Sequence, residues 1–308
     1  MDMIRAQARG RWFGYLEAIA AACLWGSSGI FSVHLFRAGV PPESLALLRP
    51  TVGALVLVAV FGVLRPVSLR VDRQGLVVLT LGGGIAVGVF QLAYQLSMDA
   101  VGVPTTVALL YLAPAVVVAA AGPLLGEWPT RSRGALVLVI LAGVWLSVAG
   151  AESVPTAFGS AGLAWGTLAG FTYAAYTLFG RFASARYGAV PTAVYSTSGA
   201  CFILVITLLS TEGAVQLPET AAAWWLMVVF GATTIALAQF LFFDALARIE
   251  ASRVSLATAV EPVVAAVLAT LLLDQGLRPI GWAGIALVVA GVVGVGVTGH
   301  PPSSITSE

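Results

Sequence analysis

The composition of this 308-residue chain excludes a water-soluble globule, because 59% of its residues are apolar and only 9% are charged, against about 25% charged residues in a typical soluble domain. The formal net charge is +1 and all fifteen basic residues are Arg, which leaves no polybasic patch for nucleic acid. Cys23 and Cys201 lie inside apolar stretches without metal-ligand spacing, so we expect no disulfide framework, no metal site and no cofactor.

Ten apolar stretches follow one another along the chain. Each supplies the roughly 20 residues that a helix needs to cross the hydrocarbon of a bilayer. Helices are favoured over barrel strands because the stretches lack alternating polarity and lipid offers no partner to open backbone. The predicted fold is an all-α integral membrane protein with ten transmembrane helices, at residues 14–36, 44–64, 75–97, 103–125, 133–150, 160–180, 191–210, 221–245, 252–273 and 280–298.

The distribution of Arg predicts the orientation of these spans, since positive residues accumulate in cytoplasmic loops. With the N-terminus inside, the outer loops hold only Arg37 and Arg278. An even number of spans returns the C-terminus to the same side, so we expect a multi-pass protein of the cell (plasma or inner) membrane with both termini in the cytoplasm. The cytoplasmic segments hold Arg5, Arg9, Arg11, Arg65, Arg70, Arg73, Arg131, Arg133, Arg181, Arg186, Arg248 and Arg253.

Comparison of the chain with itself indicates an internal duplication with an offset of 148 residues. The expected organisation is a cytoplasmic segment at 1–13, five-helix repeats at 14–150 and 151–298, and a cytoplasmic tail at 299–308. Because five is odd, the second repeat must enter the membrane from the opposite side. Inverted repeats are a construction of secondary transporters, with the substrate site near the midplane and access alternating between the two sides. The matched pairs include Gly83 with Gly231, Gln91 with Gln239, Pro114 with Pro262, and Gly143 with Gly291.

Short motifs in both halves carry a family resemblance. They are Leu24-Trp25-Gly26, Arg49, Leu112-Ala113-Pro114, Leu124-Leu125-Gly126-Glu127, Ala245-Leu246, Glu261-Pro262 and Leu271-Leu272-Leu273. Over residues 14 to 298 the chain resembles the ten-helix drug/metabolite transporter superfamily, with two EamA domains. One departure is Leu273-Asp274-Gln275, where the family pattern ends in Leu-Gly-Glu. The resemblance implies transport of a small metabolite such as an amino acid, a nucleobase or a toxic cation, with export favoured.

Glu261 is the one carboxylate predicted near the middle of a span, where an ionised side chain costs about 2.5 to 3.5 kcal/mol on insertion scales. Two roles are open. Glu261 faces a cavity and binds a substrate amine or a coupling proton, or it is a structural partner at the kink made by Pro262. Its counterpart in the first half is Ala113, so the fold itself does not require a carboxylate. Pro114 and Pro262 are expected to kink the two helices that the repeat relates.

Arg49, near the outer end of the second span, has three open roles. Its planar guanidinium suits a substrate carboxylate, or a structural or gating ion pair with Glu261 across the cavity. Alternatively, the side chain extends to the outer membrane interface. The family resemblance favours the ion pair.

Amide and aromatic side chains within the spans complete the predicted site. Buried amides bond across helices or face water in a cavity, and midspan aromatic rings either pack or stack on a planar or cationic ligand. The predicted cavity residues are Trp25, Ser28, Gln91, Tyr94, Gln95, Tyr111, Tyr173, Tyr176, Gln239 and Glu261.

The favoured function is a secondary transporter of a small organic metabolite such as an amino acid, in the export direction that the resemblance implies. The expected partners are the lipid bilayer, the solute and protons as the candidate coupling ion, without nucleic acid, and the expected state is a monomer. The alternatives are an uptake permease of the same fold and a membrane-embedded enzyme acting on a lipid or lipid-linked sugar. Such an enzyme needs paired acid and base groups, a nucleophile or metal ligands, and no catalytic residue is assigned.

Overall fold

The computed structural model describes residues 2–128, 130–150, 160–210, 215–274 and 276–297, and within these ranges the chain is helical without a strand. The predicted tail at 299–308 and the start of the second repeat lie outside the described residues. In chain order the α-helices are α1 (Asp2–Gly26), α2 (Ser28–Arg37), α3 (Pro42–Leu64), α4 (Arg73–Val77), α5 (Gly84–Leu110), α6 (Ala113–Leu125), α7 (Arg131–Ala149), α8 (Ser160–Tyr187), α9 (Ala189–Ser210), α10 (Ala221–Gly231), α11 (Ala238–Arg248), α12 (Ala251–Ala257), α13 (Glu261–Leu273) and α14 (Pro279–Val297).

Six segments of the described chain are long and apolar enough to cross a membrane, which agrees with a multi-pass membrane protein. The predicted count of ten spans stays a prediction. The longest segment contains two helices joined at Gly102, whose backbone has φ 76° and ψ 174°. The six are Trp12–Arg37, Pro42–Leu64, Arg73–Leu125, Ala189–Ser210, Ala221–Arg248 and Ala251–Leu273, and two shorter apolar helices are Gly134–Ser147 and Pro279–Gly291.

Several helices are interrupted within the apolar part of the chain. Turns of π-helix at Val78–Gly83 and Ala232–Leu237 lead into α5 and α11. Helix α6 follows a turn after α5, and α13 follows a 3₁₀ turn at Thr258–Val260. Pro114 and Pro262 each stand second in the helix that follows the interruption, where the N–H that proline lacks has no intrahelical acceptor anyway. The interruptions place helix ends inside the bundle.

The two halves reproduce each other's helix bounds at the offset of 148 residues. Helix α6 matches α13 and α7 matches α14 at both ends. The residue after α6 is Gly126 with φ 73°, and the residue after α13 is Asp274 with φ 55°. Both are left-handed, a conformation that Gly adopts freely and that Asp tolerates better than most residues. The replacement of the family's Gly by Asp therefore leaves the helix end in place.

Helices α7 and α14 pack through glycines in a reciprocal contact. A Cβ atom on Gly143 would lie 2.6 Å from the carbonyl oxygen of Gly284 and 2.9 Å from Cγ2 of Val288. A Cβ atom on Gly291 would lie 2.6 Å from Cγ1 of Ile140. Gly143 and Gly291 are 148 positions apart, as are Ile140 and Val288. Gly143 thus contacts Val288 and Gly291 contacts Ile140, so the two contacts are related by the repeat. Because glycine has no side chain, the two backbones can approach closely.

This packing predicts opposite effects for two alanine substitutions within α7. Gly143→Ala places a methyl group against the Gly284 carbonyl, and overpacking of this kind costs about 1 to 3 kcal/mol. Gly134→Ala is the matched control, since the added Cβ has no described atom within 4 Å beyond its own chain neighbours and helix backbone, and alanine favours a helix over glycine by about 1 kcal/mol. Thermal unfolding of the detergent-purified protein should show a lower midpoint for Gly143→Ala and an unchanged or higher one for Gly134→Ala. Equal midpoints would contradict the close packing.

Candidate functional site

A narrow cavity of about 20 Å³ lies between helices of both halves. It brings together most of the side chains predicted for the site, including Arg49 and Glu261, the two charged residues of its lining, whereas Gln95 and Tyr111 lie outside the lining. The apolar part of the lining was not predicted, because apolar residues occur on every face of a membrane helix. The complete lining is Trp25, Ser28, Arg49, Val87, Phe90, Gln91, Tyr94, Leu110, Tyr173, Tyr176, Ile235, Gln239 and Glu261.

The guanidinium of Arg49 links α3 to three other elements. The residue is only 3% exposed. Its Nε donates to Oγ1 of Thr234 at 3.1 Å, its Nη1 to Oε1 of Gln91 at 3.2 Å and its Nη2 to Oγ of Ser28 at 3.1 Å. The group also lies 4.5 Å from the ring centroid of Phe230, within the range of a cation–π interaction. The alternative in which Arg49 extends to the outer interface is wrong, because these contacts enclose its charged group.

Thr234 is the member of this network that the sequence analysis missed. It lies in the π-helical turn before α11. Its hydroxyl donates to the carbonyl oxygen of Phe230 at 2.7 Å, which leaves a lone pair to accept from Arg49, and its own carbonyl accepts from Nε1 of Trp25 at 2.7 Å. The one sequence feature that could have indicated Thr234 is a hydroxyl within an apolar span. Its counterpart in the first half is Ala86, so the duplication did not point to it.

Glu261 is the first residue of α13 and is 3% exposed. A helix N-terminus favours a negative charge. The hydroxyl of Tyr111, which belongs to the first half, lies 3.4 Å from Oε2 of Glu261 and donates to the carbonyl oxygen of Thr258 at 2.7 Å. A purely structural role at the Pro262 kink would have the carboxyl bonded to a carbonyl oxygen. Its observed contact is instead with a side chain of the other half.

Arg49 and Glu261 line the same cavity without forming an ion pair. In the described part of the chain, no nitrogen of Arg49 lies within 4 Å of the Glu261 carboxylate. Three neutral oxygens accept from the guanidinium instead. The ion pair expected from the sequence is therefore absent from this conformation, and a gating role for the two residues stays a prediction.

Aromatic rings pack into one cluster beside the cavity. Trp25 and Tyr173, which are 148 positions apart, meet edge to face with ring centroids 6.0 Å apart and planes at 84°. Tyr176 stacks on Phe242 with centroids 5.2 Å apart, and Phe90 stacks on Tyr173 at 5.4 Å. The Tyr173 hydroxyl is buried and has no hydrogen-bond partner among the described residues. The cluster thus contributes aromatic surface and an unpaired hydroxyl to the site.

Amides at repeat-related positions bond to partners that are also repeat-related, but with the opposite direction of donation. Gln91 accepts from Arg49, and Nε2 of Gln239 donates to Oγ1 of Thr197 at 2.7 Å. Arg49 and Thr197 are 148 positions apart, as are the two amides, so the first half carries a charge where the second carries a hydroxyl. Gln95, one turn from Gln91, is fully buried, and its amide has no partner in the described structure.

The lining offers few kinds of ionisable group. It combines one guanidinium, one carboxylate, amides and aromatic rings. Glu261 is the one carboxylate of this lining, and no His belongs to it. The described residues contain no group of three or more His, Cys, Asp or Glu that would hold a metal ion. The expected absence of a metal and a cofactor stays a prediction.

Comparisons with known proteins give matches over nearly the whole chain. The EamA-like transporter family matches twice, over residues 12–149 and 160–297. The chain is 27% identical over 300 residues to "Uncharacterized inner membrane transporter YicL" of Salmonella typhimurium, covering 91% of this chain and 94% of that protein. It is 26% identical over 294 residues to "Threonine/homoserine exporter RhtA" of Escherichia coli K12, covering 93% and 92%. A solved structure described as "Crystal structure of protein" shares the fold, with a TM-score of 0.75 and 18% identity over 92% of this chain and 96% of that chain.

The three bonds of Arg49 predict that lysine cannot replace it without loss of stability. Lysine keeps the positive charge but carries its donors on one nitrogen, which cannot reach three separated acceptors. Because a hydrogen bond to a charged group contributes about 1.5 to 3 kcal/mol, Arg49→Lys should lower the free energy of unfolding by about 2 kcal/mol or more. Arg37→Lys is the control, since Arg37 is exposed. Thermal unfolding in detergent checks both, and equal midpoints would show that the network contributes little.

Proposed function

Because the chain belongs to the EamA-like transporter family, we propose that it is a secondary transporter that moves a small organic solute across the inner membrane by alternating access. Its transporter relatives and its six long apolar segments support a multi-pass membrane protein. The two halves would move against each other around the cavity between them. The cavity of about 20 Å³ is far smaller than the roughly 300 to 1,000 Å³ of a ligand site, so substrate entry requires the surrounding helices to separate.

The proposed topology has ten spans in two inverted repeats, with both termini in the cytoplasm. The equal bounds of α6 and α13, and of α7 and α14, support the duplication. The reciprocal contact of α7 with α14 is of the kind that a two-fold axis generates. The break at Gly102 supports counting the long segment Arg73–Leu125 as two spans. The excess of Arg in the segments assigned to the cytoplasm supports the orientation. Repeats at 14–150 and 151–298 and a monomeric state complete the proposal.

The observation that carries the substrate proposal is a buried cation bonded only to neutral oxygens. A substrate carboxylate can replace those acceptors at Arg49, because charge-assisted bonds to guanidinium are shorter and stronger than neutral ones. Glu261 and the ring faces of Trp25 and Tyr173 suit a substrate ammonium. An amino acid carries both groups, and one relative is named as a threonine/homoserine exporter. The proposed binding residues are those of the cavity lining, with Tyr111 positioning Glu261.

Direction and coupling complete the proposal. Export is supported by the name of the exporter relative, and Glu261 is the proposed carrier of a coupling proton, since it is the carboxylate of the lining and lies between the halves. An uptake permease would have the same site and differ in the direction of net flux. An enzyme acting on a lipid is the less favoured alternative, because Glu261 has no second carboxylate or His beside it in the lining.

Flux measurements in liposomes test the proposed function. The purified protein should move at least one solute from a panel of amino acids, amines and nucleobases, and a proton gradient should drive accumulation. A panel without any transported solute, with gradients of either sign, would overturn the transport proposal.

Replacement of Glu261 by Gln tests the coupling role. Glutamine keeps the size of the side chain and still accepts from Tyr111, but it cannot take up a proton. Glu261→Gln should reduce proton-driven accumulation at least about tenfold while exchange of labelled for unlabelled solute continues. Glu43→Gln removes an exposed carboxylate and should leave both rates unchanged. Normal accumulation by Glu261→Gln, with normal pH dependence, would remove this residue from proton coupling.

A further inference from the structure

Polar and charged side chains link the two halves at one end of the molecule, formed by the ends of α6, α8 and α11 and the start of α12. We call it the arginine-rich end. Glu127, the second residue after the first-half helix α6, has Oε1 at 2.8 Å from Nε of Arg181 in α8, and its Oε2 accepts from the backbone N–H of Ala251 at 3.0 Å. Nη1 of Arg181 donates to the carbonyl oxygen of Leu246 at 2.7 Å. One carboxylate of the first half thus holds two separate elements of the second half.

A second set of contacts at the same end joins α1 to the second half. Nε of Arg248 lies 3.1 Å from Oε2 of Glu17. Nη1 of Arg253 donates to the hydroxyl of Tyr15 at 3.1 Å. The halves are therefore joined through charged groups at two separate places on this end.

At the opposite end, two bonds that described residues make between the halves have backbone donors. The backbone N–H of Gln216 donates to Oγ of Ser44 at 2.9 Å, and the backbone N–H of Arg278 donates to the carbonyl oxygen of Gly150 at 2.7 Å. Neither bond uses a charged side chain. At the offset of 148 residues, the sequence counterparts of the charged groups are Trp165 for Glu17, Gln275 for Glu127, Val33 for Arg181, Ala100 for Arg248 and Thr105 for Arg253.

We infer that Glu127, Arg181 and the N–H of Ala251 form an ionic latch, which holds the arginine-rich end closed and favours the conformation that opens at the opposite end. The inference rests on the alternating access proposed above. A contact shifts a conformational equilibrium only if it differs between the two states, and this latch exists only while the halves meet at this end. It must therefore break and reform in every transport cycle.

Physical differences between the two ends give the latch its direction. Its bonds are charge-assisted and therefore stronger than the two neutral bonds described at the opposite end. The side chains of Glu127 and Arg181 are only 11% and 25% exposed, which limits screening by salt. In a duplicated scaffold with equal ends the two conformations would be about equally stable. The latch removes that equality in favour of the state closed at the arginine-rich end.

Spin-label distances at both ends test the latch without any substrate. In a background with Cys23 and Cys201 replaced by Ala, one pair of labels is placed at the arginine-rich end by Val67→Cys with Ala185→Cys. A second pair is placed at the opposite end by Ala38→Cys with Glu219→Cys. All four label positions are exposed. Glu127→Gln is the test variant, because glutamine keeps the shape and loses the charge. Asp72→Asn is the matched control, since the Asp72 carboxylate bonds the Gly75 N–H within its own half.

Loss of one charge-assisted bond should raise the ratio of open to closed molecules at the arginine-rich end about tenfold. The opposite end should close in the same proportion, and Asp72→Asn should change neither end. Unchanged distances in folded Glu127→Gln protein would overturn the latch. Longer distances at the arginine-rich end without shorter ones at the other would also overturn it, because they would show a local structural contact that does not govern access.

The flux and distance experiments fail independently. Reciprocal distance changes in a protein that transports no solute would leave the latch standing and overturn the proposed function. Solute transport combined with label distances that Glu127→Gln leaves unchanged would overturn the latch and support the proposed function.

Discussion

A guanidinium buried in an apolar bundle needs acceptors for its donors, and Arg49 meets this need by joining the elements around the cavity. Removing an ion from water is costly unless hydrogen bonds and charges in the protein replace its hydration. The three acceptors of Arg49, Ser28, Gln91 and Thr234, belong to α2, α5 and the π-helical turn before α11. The bonds that stabilise the charge therefore also set the spacing of these elements, and the shape of the cavity depends on them.

Duplication provides the scaffold, and differences between the copies make it functional. The helix bounds repeat closely, but Thr197 replaces Arg49 and Ala113 stands where the second half has Glu261. A cavity lined by both halves thus receives its cation from one and its carboxylate from the other. The same principle applies at the ends of the molecule. Charged groups join the halves at the arginine-rich end, and their counterparts at the offset of 148 residues are uncharged. In the latch that we propose, this difference makes two conformations unequal that symmetry would make equal.

Individual residues show why the site was only partly predictable. Gln91 and Gln95 lie one turn apart and received the same prediction, yet Gln91 lines the cavity and Gln95 is buried outside it. Helical periodicity assigns a face, but it does not say which turn of that face meets an open space. Thr234 was missed because a neutral hydroxyl in a membrane span can bond a carbonyl of its own helix, so its presence does not indicate a functional role. Glu261 and Arg49 were found because a buried charge requires an explanation.

The sequence by itself determined that the chain is a membrane protein, that it is helical, that it is duplicated and that it belongs to a transporter family. The bilayer constrains the length, polarity and flanking charges of each segment separately, so these properties can be recognised from the sequence alone. Only the tertiary structure decided the partners of Arg49, the absence of its ion pair with Glu261 and the linking of the halves through Glu127. Bonding partners that stand 42 and 185 residues apart are chosen by distances across interrupted helices. No local pattern encodes those distances.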